Sequence, residues 1–126
     1  MKRFRGESGA AAVEFALLLP ILLTLLLGIV EFSRFYNAQL SVSAAAREGA
    51  RVMAIQDDPV LAEQTAREAA SLDSDNMQIT VTPGTSNSCP DGGIVKVTVE
   101  YPMDLGLYGG VIHVKPEGEG VMRCNG

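Results

Sequence analysis

From Ala10 to Val30 the chain runs apolar for twenty-one residues, with Glu14 as the sole charge. Coiled as a helix at about 1.5 Å per residue, that run reaches roughly 30 Å, the hydrocarbon thickness of a bilayer. Pro20 falls inside it. Proline would break a helix in water, but membrane-spanning helices accommodate it with a kink. Past Val30 the apolar positions thin to a stripe at helical spacing: Phe32, Phe35, Tyr36, Ala46, Ala50, Met53 and Ala54. Arg34, Asn37, Ser41, Glu48 and Arg51 fill much of the other side. The pattern predicts one helix that leaves the membrane and continues unbroken. Its stripe is aromatic near the membrane and small toward Gly49 and Ala50, where another backbone could approach closely. It reads first as a core-facing stripe; a subunit interface is the alternative, and both fit on different sides of one helix.

Asp57-Asp58-Pro59 stops this helix and starts another, with Asp58 as N-cap and Pro59 as first helical residue. The second helix is expected to run to about Ser71 and to face Leu61, Thr65, Ala69 and Leu72 inward. From Met77 the period becomes two. Met77, Ile79 and Val81 alternate with Gln78, Thr80 and Thr82, and Val95, Val97, Val99 and Tyr101 with Lys96, Thr98 and Glu100. Residues 83–93 between these strands form a loop by composition. A third strand is expected near Val111 to Lys115 and a fourth near Gly120 to Cys124, joined by a turn over Pro116 to Gly120. The fold class is therefore α+β: a long N-terminal helix, a second helix, and a small antiparallel sheet of three to four strands covering the helix.

The chain has 126 residues. It divides into a basic leader (residues 1–9), a membrane-spanning helix (10–30) and an α+β domain (31–126) too small to be stable by its core alone without help. The net charge of −5 is unevenly placed. Lys2, Arg3 and Arg5 precede Gly9, whereas acids outnumber bases from Glu31 onward. Basic residues on the N-terminal flank place that end in the cytoplasm and export the rest. A secretory signal peptide is the competing assignment. The run is long for one, and no small-residue cleavage site intervenes between Gly28 and Glu31. The acidic balance of the exported part, without a basic cluster, argues against nucleic acid.

Cys89 lies in the first loop and Cys124 near the C-terminus. Two cysteines in an exported domain tend to pair. Closing that loop would stabilise the domain by roughly 4 kcal/mol in the chain-entropy model. Two cysteines and one histidine complete no zinc motif, and Asp57 and Asp58 at a helix start read as caps rather than cation ligands. No nucleophile–base pair or phosphate loop is visible, so an enzyme, a cofactor and a small-molecule substrate are not expected.

Glu14 is the position that asks for an explanation, since a carboxylate inside a bilayer costs a few kcal/mol. Several blocks around it resemble the TadE-like family, minor pilins or pseudopilins of the Tad (Flp-type) pilus machinery. They are Gly9-Ala10-Ala11-Ala12-Val13-Glu14-Phe15, Leu17-Leu18-Leu19-Pro20, Gly28-Ile29-Val30-Glu31-Phe32 and Ala45-Ala46-Arg47-Glu48-Gly49-Ala50-Arg51. The likeness is continuous over roughly residues 6 to 54 and loose beyond. It implies cleavage after Gly9 by a membrane prepilin peptidase, with Ala10 as the new N-terminus and Glu14 as fifth residue of the mature chain. Family members often carry Tyr after that Glu; this chain has Phe15. The residues agree with that scheme. Gly9 has no side chain to obstruct a protease, and cleavage would create an amine on Ala10, one helical turn from Glu14. In lipid each needs an opposite charge, found within the chain or between packed neighbours. The alternative for Glu14 is a partly hydrated interfacial carboxylate without a role.

The resemblance further implies a type IV pilin-like fold and a place in the inner membrane, with passage into an extracellular fibre left open. The implied partners are other Tad pilins, the prepilin peptidase and the Tad assembly platform. The expected role is an initiating, tip or adaptor subunit of an adhesion pilus, its helix packing through Phe32, Phe35, Tyr36, Ala46, Gly49 and Ala50. Two other readings stay open: a pseudopilin of a related secretion or uptake system, and a signal-anchored periplasmic binding module that does not polymerise.

Overall fold

The computed structural model describes residues 7–83, 89, 91–107 and 109–124. Lys2, Arg3 and Arg5 of the expected leader, and much of the loop expected at 83–93, lie outside them. Helix α1 spans Glu7–Gln56, a single helix of 50 residues and about 75 Å. Pro20 sits inside it without ending it. The hydroxyls of Thr24 and Ser33 donate back to the carbonyls of Pro20 (2.6 Å) and Ile29 (2.8 Å), which satisfies both within the helix itself. From Glu7 to Leu23 every residue is exposed, and the first buried position is Ala38. The helix thus has a bare half and a half packed into a folded body.

That body begins at the turn after α1. Asp57 takes a left-handed conformation (φ 53°), which an Asp tolerates better than most side chains. Its carboxylate accepts from the Cys89 backbone N–H. Helix α2, Pro59–Ala69, follows as the sequence predicts: Asp58 Oδ1 accepts from the N–H groups of Val60 (3.0 Å) and Leu61 (3.1 Å), and Pro59 opens the helix. A 3₁₀ turn at Ser74–Asn76 leads to β1, Gln78–Thr82. The remaining strands are β2 (Ile94–Glu100), β3 (Met103–Leu107), β4 (Gly110–Val114) and β5 (Glu117–Arg123). They form two antiparallel sheets: a three-stranded one in the order β1-β2-β5, and a separate hairpin of β3 and β4. The single sheet of three to four strands expected from the alternation is therefore five strands in two sheets.

The core lies where α1, α2 and the larger sheet meet. Val42, Ala45, Ala46, Ala50, Met53, Ala62, Ala66, Ala70, Val95, Val97 and Val99 are all fully buried. The packing is unusually close. A Cβ at Gly49 would stand 3.0 Å from the Ala66 Cβ and 3.1 Å from the Ala62 carbonyl. A seam that narrow admits only small residues, so α2 turns Ala62, Ala66 and Ala70 to the helix. Leu61, Thr65 and Leu72, expected inside, are half-buried at its flanks, and Ala69 is exposed.

Strand β5 makes the same kind of contact. Gly118 and Gly120 face α1, and a Cβ on either would overlap its backbone, at Val42 and Ser43 for one and at Ala46 and Arg47 for the other. The Gln39 side-chain amide donates to the Glu117 carbonyl (2.6 Å) at the start of this strand. The expected turn over Pro116 to Gly120 is thus mostly strand. Its glycines are there because the helix backbone occupies the space a side chain would need. Strand β3, absent from the expectation, is a five-residue run in which Met103, Leu105 and Leu107 alternate with one Asp and one Gly, a pattern too short and too weak in contrast to stand out. Lys115 ties the base of the hairpin to the sheet by an ion pair with Glu100 (2.9 Å). The hydrogen bond and charge of Glu100 hold its ammonium above the ordinary lysine range.

Candidate assembly helix

Gly9, Ala10, Glu14 and Phe15 all lie on the exposed first half of α1. Gly9 is the third residue of the helix, and nothing lies near the place a Cβ would occupy. Ala10 and Glu14 are four residues apart and stand on one face, one turn above each other. The helix is the one segment, among the described residues, long and apolar enough to cross a membrane. Leu17, Leu18, Leu19, Leu22, Leu23, Leu26 and Leu27 are exposed and surround it. An apolar surface on every side of a helix is the pattern of a segment solvated by lipid or by other helices.

Beyond the apolar run the residues expected to pack divide into two groups. Ala46, Gly49 and Ala50 are buried in the body's own core. Phe32 and Tyr36 are exposed and stack on each other, with ring centroids 6.3 Å apart and planes 14° from parallel. Phe35 is half-buried between these faces. The stripe read as one surface is therefore two. Its small end holds the fold together, and its aromatic end stands open where α1 enters the apolar stretch.

The two cysteines form a disulfide, Cys89–Cys124, with Cα atoms 5.6 Å apart. It joins the residue after β5 to the segment between β1 and β2. The Cys124 N–H also donates to the Gly93 carbonyl (2.9 Å), extending the β2–β5 pairing by one step. At the opposite end of the body, Arg34, Asn76, Tyr101, Pro102, Met103 and Asp104 line an open cleft. The Arg34 guanidinium pairs with Glu31 (3.1 Å), and Asp104 with His113. Among the described residues no three carboxylate, histidine or cysteine side chains come together as a cation site.

Gly118 and Gly120 are the residues that matter to this arrangement and that pattern reading missed. A signal was present: Glu117-Gly118-Glu119-Gly120 alternates polar with small residues at the period of a strand. The helix itself, by contrast, is where known proteins resemble this chain. No curated protein and no solved structure matches it significantly. The family model described as TadE-like protein matches residues 9–51, a segment that begins at Gly9 and ends inside α1. TadE-like proteins are associated with the Tad pilus, and theirs is a structural family rather than an enzyme family. Over residues 9–51, most of its long helix, this chain is similar to the TadE-like family.

Proposed function

We propose that the chain is a minor pilin or pseudopilin that supports assembly of a Tad-type pilus as an initiating, tip or adaptor subunit. The observation that carries this reading is α1: 50 continuous helical residues, bare and apolar over the first half, with Glu14 as the one charge between Ala10 and Val30. A prepilin peptidase would cut after Gly9, and Ala10 would begin the mature chain. The new ammonium on Ala10 and the carboxylate of Glu14 then neutralise each other, within one helix or across two neighbours. Either arrangement removes an unpaired charge from lipid. Residues 10–30 anchor the protein in the inner membrane with its N-terminus in the cytoplasm, and the body from Glu31 onward is exported. Lateral packing of bare helices brings the subunit together with other Tad pilins on the assembly platform.

The deciding measurement is intact mass or N-terminal sequencing of the protein recovered from its host's membranes. A chain beginning at Ala10 supports the reading. A chain that retains residues 1–9 assigns α1 the role of a plain anchor and removes the case for assembly.

A further inference from the structure

We propose that the β3–β4 hairpin is a second membrane contact, a finger whose tip rests in the headgroup–acyl boundary beside the emerging helix. The inference rests on residues 10–30 spanning the bilayer, and it adds a surface that lies outside α1 and outside residues 9–51.

The geometry begins with register. Gly118 and Gly120 fix β5 on α1 at Val42 and Ala46, and β2, paired antiparallel to β5, runs back toward the apolar half of the helix. Beyond the end of β2, Tyr101, Pro102, Met103 and Asp104 share their cleft with Arg34, and β3 packs on α1. Asp104 therefore stands near the level of Arg34. Three further residues of strand, to Leu107, cover about 10 Å. The same distance back along α1 is roughly seven residues, which reaches Leu27, inside the apolar run.

The chemistry changes at the same level. Asp104 faces His113 across the hairpin and pairs with it, as Glu31 pairs with Arg34 on the helix. Between that pair, residues 105–112 carry no charge in a chain of net charge −5. Leu107, Val111 and Ile112 are exposed by 40%, 61% and 52%. Ile112 pairs with Leu105 and Val111 with Gly106, so the exposed apolar side chains stand on both faces of the ribbon. A protein surface could cover one face; an interface with lipid covers both. The open hairpin edges limit the depth, since unpaired backbone groups are not tolerated in the hydrocarbon core. The boundary region, where they stay hydrated, is the place that fits.

The chain contains no tryptophan, so one introduced Trp reports one position. The full chain, reconstituted alone in phosphatidylcholine vesicles, would be compared as Val111→Trp, Leu22→Trp and Ile94→Trp. Ile94 is equally exposed, but at the opposite end of β2, and controls for tryptophan's own taste for interfaces. Disulfide formation in each variant checks the fold. The proposal expects the Val111→Trp emission to shift to the blue and to be lost to shallow nitroxide lipids while iodide spares it. Ile94→Trp should be quenched by iodide alone, and Leu22→Trp by deep nitroxide lipids. A Val111→Trp protein open to iodide, with Leu22→Trp still deep, overturns the finger and leaves the anchor standing. That result would include a hairpin reserved for a partner pilin, which would be shielded only when the partner is added. A Leu22→Trp protein untouched by deep quenchers overturns the anchor and the finger with it.

Discussion

Two single residues at opposite ends of this molecule carry tests of their own. Glu14 has no partner among the described residues and stands exposed on the apolar half of α1. If it pairs with the Ala10 amine of its own or a neighbouring helix, its loss leaves that amine uncompensated in lipid. Removing one member of a buried charge pair costs about 3–5 kcal/mol. Glu14→Ala is expected to insert normally and to lower pilus output by more than about tenfold, as read by shed pilin in the host. Normal output would return Glu14 to the role of a hydrated interfacial carboxylate. Gly120 works by having nothing to offer: any side chain there meets the Ala46 carbonyl of α1. Backbone cannot step aside as a side chain can, so Gly120→Val should cost about 3 kcal/mol, at the upper end of overpacking effects. Urea denaturation of the detergent-solubilised chain would show it, with Val121→Ala on the exposed side of the same strand as a near-neutral control.

At the scale of elements, the turn between α1 and α2 shows how much of the fold is local. Asp58 carries two backbone N–H groups of α2 on one carboxylate oxygen, and Pro59 sets the first helical φ. Asp58→Ala is expected to cost about 1 kcal/mol, a fall in melting temperature of about 4–8 °C for a body of this size, measurable by circular dichroism. That element was legible because its signals are covalent neighbours. The inward face of α2 was not. Leu61 is the more apolar residue, yet Ala62 takes the buried position, because the distance between α1 and α2 is set by Gly49 and leaves room for a methyl group only. Strand β3 escaped for a different reason: Met103, Leu105 and Leu107 alternate with Asp104 and Gly106, but the run is five residues long, follows Pro102 and is interrupted by a glycine, so its signal is weak.

At the scale of the molecule, one disulfide closes the body far from the apolar half of α1. Cys89–Cys124 fastens β5, the strand that grips α1, to the segment between β1 and β2. Replacing both cysteines by alanine should remove about 4 kcal/mol in the chain-entropy model. A reduced protein should then unfold at lower urea than the oxidised one, with no difference between them in the double variant. The sequence by itself determined the elements whose causes are local or periodic. These are the apolar helix with its single carboxylate, the capped α2, the alternating strands β1 and β2, the pair of cysteines, and the resemblance carried by residues 9–51. Only the tertiary structure decided which small residues face which, and it did so by distance. Once glycines at 49, 118 and 120 let three backbones approach, space rather than hydrophobicity chose Ala62 over Leu61 and made a strand of the Glu-Gly repeat. The same close packing covered the small end of the α1 stripe and left Phe32 and Tyr36 exposed.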